Sequence, residues 1–107
     1  MPGIPPPEMG NMPLVEHIKL GNGTALGIKV ELPKAPLVMI RADKGFAMCG
    51  YLNIESVNKA GEVAVRVTGV KSFDDVLNAR VINISDEARK LGIIDGMTAR
   101  EALEKMF

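Results

Sequence analysis

The sequence predicts an α+β domain: a mixed β-sheet that begins with an N-terminal β-hairpin, followed by about four short helices in the C-terminal half. Three observations predict it. Period-two alternation of apolar residues dominates the first half. Asparagine, serine and threonine caps mark helix starts in the second half. Runs of strands precede the mixed elements, which argues against a fully alternating α/β fold. The 107 residues suit one domain with a modest core.

All seven prolines lie within the first 36 residues. The stretch 1–13 holds Pro2, Pro5, Pro6, Pro7 and Pro13 and shows no repeating apolar face. Such a segment favours extended conformations. It is read as a disordered tail ahead of a single domain over 14–107.

Leu14, Ile18 and Leu20 fall on one side of the first strand, with Val15, His17 and Lys19 on the other. Gly21-Asn22-Gly23 is a strong turn signal. Thr24, Leu26, Ile28, Val30 and Leu32 then alternate with Ala25, Gly27, Lys29 and Glu31, the cleanest period-two stretch in the chain. Together they make a hairpin. A two-stranded hairpin is marginal alone, so its apolar face needs a partner, in the same subunit or another. Pro33-Lys34-Ala35-Pro36 breaks the pattern. Leu37-Val38-Met39-Ile40 is a continuous apolar run that fits a buried strand. Asp43-Lys44-Gly45 marks a turn, and Phe46 to Leu52 reads as the next strand.

From Asn53 the period changes. Asn53 suits an N-cap, Ile54 and Val57 share a helical face, and Gly61 supplies a left-handed stop. Val63, Val65 and Val67 give a β-branched strand, so strand, helix and strand suit a crossover between parallel strands. Ser72 caps a helix with Asp74 and Asp75 at its positive end. Val81, Ile82 and Ile84 form a short strand, and Ser85 caps Asp86 to Leu91 before Gly92. Thr98 and Glu101 form a capping box, behind which Ala99, Ala102, Leu103 and Met106 line one face. The predicted order is ββ, ββ, α, β, α, β, α, α.

Composition excludes several functions. Basic and acidic residues number 13 each and form no basic stripe, so neither nucleic acid nor a membrane surface is an expected partner. No apolar run reaches membrane-spanning length. One cysteine, Cys49, rules out an internal disulfide; with no secretory signal visible, the expected location is cytoplasmic. One histidine and one cysteine cannot close a zinc site, and no cofactor is implied.

Cys49 is the sharpest catalytic candidate. It ends a predicted strand just before a helix start, where free amides and the dipole stabilise a thiolate. A nucleophile also needs a base, and the one histidine, His17, lies in the first hairpin. The competing reading is a small buried hydrophobe, in keeping with Ala47, Met48 and Leu52 around it. Gly50 would let a ligand approach closely. Arg66 interrupts a valine-rich strand and Arg41 ends an apolar one; each faces solvent, pairs across an interface or reaches an anionic ligand. Gly21-Asn22-Gly23-Thr24 lacks the spacing and the Lys-Ser/Thr ending of a P-loop. Ile18, Leu26, Ile28 and Val30 are the expected oligomer-interface residues of the hairpin.

Gly45-Phe46-Ala47-Met48-Cys49-Gly50-Tyr51-Leu52 resembles the signature of the YunC-like family, a bacterial and archaeal domain of unknown function (1805). So do Val67-Thr68-Gly69-Val70-Lys71-Ser72, and Leu91-Gly92-Ile93 with Gly96-Met97-Thr98-Ala99-Arg100-Glu101-Ala102-Leu103. The resemblance implies a homo-oligomer, a tetramer being favoured, assembled through β structure near the N-terminus. It implies no activity. The leading expectation is therefore an oligomeric module that binds itself and an unknown small molecule or protein at subunit junctions. The alternative is a small cysteine-dependent enzyme using Cys49 at such a junction.

Overall fold

Six strands form one mixed sheet in the computed structural model, which describes residues 14–107. The strands are β1 (Leu14–Lys19), β2 (Thr24–Val30), β3 (Leu37–Arg41), β4 (Gly45–Met48), β5 (Val63–Arg66) and β6 (Asn83–Ile84), side by side in chain order. Every neighbour is antiparallel except β4 and β5, which run parallel. The helices are α1 (Ile54–Ala60), α2 (Phe73–Asn78), α3 (Asp86–Lys90) and α4 (Ala99–Glu104). The α+β architecture and the element order are those predicted; the proline-rich tail lies outside the described residues.

Capping chemistry starts all four helices. Asn53 Oδ1 accepts from the Glu55 and Ser56 N–H groups, and Ser72 Oγ from Asp75 N–H. Ser85 Oγ accepts from Ala88 N–H, and Thr98 forms a full capping box with Glu101. Each cap satisfies donors that the first helical turn leaves free. Gly61 closes α1 at φ 74°, a conformation glycine adopts without penalty. Helix α1 joins the two parallel strands, as the strand–helix–strand pattern predicts.

The two faces of the sheet differ. Cross-strand register puts Ile18, Ala25, Gly27, Val38, Ile40, Ala47, Val65 and Ile84 on one face. Helices α2, α3 and α4 cover it with Phe73, Val76, Leu77, Ala88, Ala99, Ala102 and Leu103, and this is the core. Small residues let the helices sit close. A Cβ on Gly27 would lie 2.7 Å from Ile18 Cδ1 and 2.8 Å from Phe73 Cε1. Helix α1 packs along β5 and buries Val57, which with Ala64 stands outside that core.

The opposite face carries Val15, Leu26, Ile28, Val30, Met39 and Phe46, none of which joins the core. Period-two alternation in β2 is therefore real, but the bulky side chains point away from the helices. Ile18 lies on the helix-covered face, packed against the core, so the four residues expected at an interface do not share one face.

Strand β4 ends at Met48, earlier than the sequence predicts. Cys49 N–H still donates to Val38 O at 3.1 Å, but Val38 N–H donates to Cys49 Sγ at 3.4 Å instead of a carbonyl. The Cys49 carbonyl accepts from Leu52 N–H at 3.0 Å, which turns the chain. The Gly21-Asn22-Gly23 turn docks on α4. Glu104 accepts from the N–H groups of Gly21 and Asn22 at 2.7 Å each, while Asn22 Nδ2 donates to the Glu104 carbonyl at 2.9 Å. The loop's amides hold an anion after all, and it is a side chain of the same chain.

Candidate functional site

A cavity of about 320 Å³ opens at the carboxyl ends of the parallel pair. Cys49, Gly50 and Tyr51, which follow β4, make one wall; Gly69, Val70 and Lys71, which follow β5, make another; Ala35 and Pro36, ahead of β3, close it. The ends of parallel strands are where successive loops diverge and leave a crevice. Its volume sits at the lower end of small-molecule sites, roughly 300–1,000 Å³.

Each wall is held. The Tyr51 hydroxyl donates to the Ala35 carbonyl at 3.0 Å, tying the exposed ring across the opening. Gly69 has φ 72°, a left-handed conformation that turns the β5 loop back toward β4. Lys71 N–H donates to Asp75 Oδ2 at 3.0 Å, fixing the loop to α2. Arg66 donates from Nε and Nη2 to the Gly50 carbonyl, both at 3.4 Å, and from Nη1 to Asn83 Oδ1 at 3.0 Å. Its guanidinium thus braces the post-β4 turn from outside the cavity.

The structure brings Cys49, Gly50 and Arg66 together and leaves His17 and Arg41 elsewhere. Cys49 lines the cavity but is 4% exposed, and its Sγ already accepts from Val38 N–H. His17 is exposed on β1, with β2 and β3 between it and β4. Three strand spacings amount to about 14 Å, so His17 cannot act as base for Cys49 in the same chain. Arg41 is exposed on the open face, between Leu26 and Phe46 in the cross-strand register. Gly50 is needed neither for φ nor for space, since an added Cβ would come no closer than 3.7 Å to Arg66 Nη2.

Tyr51, Val70 and Lys71 line the cavity but are not among the candidates the sequence singles out. They stand in two of the blocks that carry the resemblance, but nothing local says that two loops 17 residues apart converge. Two shifted acid–base equilibria stand outside the cavity. Hydrogen bonds from the Thr98 backbone, and then its hydroxyl, hold the Glu101 carboxyl below its usual range; a hydrogen bond and charge from Glu87 raise Lys90. No helix among the described residues is long and apolar enough to cross a membrane.

Comparison with known proteins follows the same segments. The family model described as Domain of unknown function (DUF1805) matches residues 48–106. The chain belongs to this family. The match takes in the Cys49–Tyr51 and Gly69–Lys71 walls of the cavity, and it starts after the hairpin. An uncharacterized protein, YunC, of Bacillus subtilis is 39% identical over 84 residues, 75% of this chain and 83% of that one. A crystal structure of a Thermoplasma acidophilum protein of unknown function superposes with a TM-score of 0.85 at 45% identity, covering 90% of this chain and 94% of that one. The DUF1805 fold described above, hairpin included, is therefore shared with a solved relative.

Proposed function

We propose that this DUF1805 chain is a cytoplasmic self-assembling module, with the open face of β1–β4 covered by a second copy of the same face. The observation that carries this reading is the division of the sheet. Its helix-covered side is lined by small and medium residues at near-zero exposure, while Val15, Leu26, Ile28, Val30, Met39 and Phe46 form a contiguous apolar surface outside the core. Val15 is exposed and the other five are partly exposed, so a partner can still bury the remainder of side chains worth about 1.5–3 kcal/mol each when fully buried.

A second copy suits the surface on two counts. A twofold axis lets one patch complement itself, and sheets stack face to face about 10 Å apart with interleaved side chains. The charges also fit. Lys19 and Arg41 lie in the cross-strand rows toward the Gly21-Asn22-Gly23 turn, whereas Val15, Ile28, Met39 and Val30 fill the rows beyond. A twofold axis through the apolar rows sends the cationic rows to opposite ends, where they do not meet. The favoured tetramer needs one more interface, and the edge strand β1, hydrogen-bonded only to β2, offers it. Light scattering tests the reading: a multiple of the 11.5 kDa chain mass is expected, and a monomer at micromolar concentration rejects it.

The second reading, a cysteine-dependent enzyme, draws on one observation, that Cys49 lines the cavity. Burial of Sγ and the distance of His17 weigh against it within one chain, and thiol reactivity decides the matter.

A further inference from the structure

The geometry points to the cavity at the ends of β4 and β5 as a binding site for a small organic anion, a carboxylate on an apolar body. Three features select that chemistry. The first is shape and polarity: Pro36, Val70 and the positioned Tyr51 ring supply apolar surface, as small-molecule sites usually do. Tyr51 spends its hydroxyl proton on Ala35, so its ring offers a face rather than a donor.

The second feature is an excess of donors. Among the described residues, no protein group accepts from the main-chain N–H groups of Gly50, Tyr51, Gly69 or Val70. Val70 is only 7% exposed, and an unpaired N–H on a buried residue is uncommon. All four residues line the cavity, and main-chain N–H groups without protein partners are the donors from which anion-binding concavities are built. Third is charge. Lys71 lines the cavity, no carboxylate pairs with its ammonium among the described residues, and the cavity wall holds no acidic residue. Asp75 stands outside the lining, where its Oδ2 accepts from the Lys71 main-chain N–H. An apolar cradle with one free cation and unpaired amides complements a carboxylate with a hydrophobic tail. A bare inorganic anion would leave the apolar walls wet.

The site does not rest on self-assembly, because its walls belong to the strand ends and not to the open face. An NMR titration of the full chain, following backbone amides, tests it with three probes: benzoate, benzamide and inorganic phosphate. Benzoate is expected to move the Gly50, Tyr51, Gly69 and Val70 amides saturably, with a Kd on the order of 1 mM or below. Benzamide, and benzoate with the Lys71→Ala variant, should each bind about tenfold or more weakly. Lys71 is exposed, and Lys71→Gln gives a second variant that retains part of the stem. The proposal is overturned if those amides show no saturable movement with benzoate, or if benzamide or phosphate binds as tightly as benzoate. Benzoate affinity unchanged from the native chain in both Lys71 variants overturns it as well.

Discussion

Replacing Ile28 by aspartate separates folding from assembly. Ile28 lies on the open face between Val15 on β1 and Met39 on β3, and it is absent from the core. In the single chain Ile28 is partly buried within the sheet but stands outside the helix-packed core, so the fold should survive with a modest loss of stability. In a twofold assembly each interface holds two copies of Ile28. Because each is already partly buried in its own chain, the interface adds about 0.5–1 kcal/mol per copy, or about 1–2 kcal/mol per interface. That corresponds to roughly 5- to 30-fold weaker association, before the cost of enclosing two carboxylates is added. Sedimentation velocity over a concentration series, with far-ultraviolet circular dichroism on the same samples, reads both quantities. The expected result is a shift toward an 11.5 kDa species with an unchanged helix and strand spectrum. Val38→Asp is the contrast, since Val38 is fully buried in the core and its substitution should unfold the chain. An Ile28→Asp protein that unfolds would show that the face is covered from within the chain. One that keeps its mass and its fold would show that the face takes no part in assembly.

Three further outcomes follow from single groups. Ser85→Ala should lower stability by about 2–4 kcal/mol, because the hydroxyl caps α3 and also accepts from buried Ala64 N–H at 3.0 Å; a melting temperature reduced by less than about 4 °C would contradict that dual role. Glu101, whose carboxyl is held below its usual range by Thr98, contributes stability that is present above the ordinary glutamate range and lost as pH falls through its lowered folded value. The melting-temperature gap between the native chain and Glu101→Gln should therefore close on acidification, and a gap independent of pH would refute the capping-box account. Cys49 should react with iodoacetamide far more slowly in the native protein than in the urea-unfolded chain; comparable rates would return the thiol to consideration as a nucleophile.

The order of elements was legible because it is written locally. Asn53, Ser72, Ser85 and Thr98 each sit where a helix needs an acceptor, and each makes that bond. The hairpin turn and its alternation were legible for the same reason. What alternation cannot say is which side faces the helices. Alternation in β2 sets Leu26, Ile28 and Val30 against Ala25 and Gly27 and leaves open whether a partner in the same subunit or another covers the bulkier set. The helices cover the smaller set, because closely packed elements need small residues where they meet, as the contacts a Gly27 Cβ would make show. Bulky residues on the far side then become the surface that most needs an explanation.

Glycines teach the same lesson about long-range cause. Gly45 reads as a turn residue after Asp43-Lys44, yet its φ is not left-handed. An added Cβ there would collide with the Val63 carbonyl and side chain, so Gly45 is required by the close approach of β5, 18 residues away in sequence. Glu104, 82 residues beyond Asn22, accepts from the amides of the Gly21-Asn22 turn. The cavity arises in this way too. Cys49 and Gly50 attract notice in the sequence as chemistry, whereas their structural distinction is position: they begin one of two loops that diverge from the sheet's parallel pair. The other loop contributes the cation and most of the remaining free amides. A site built by topology rather than by a reactive side chain leaves no local motif, and that is why the residue to test first is Lys71, not Cys49.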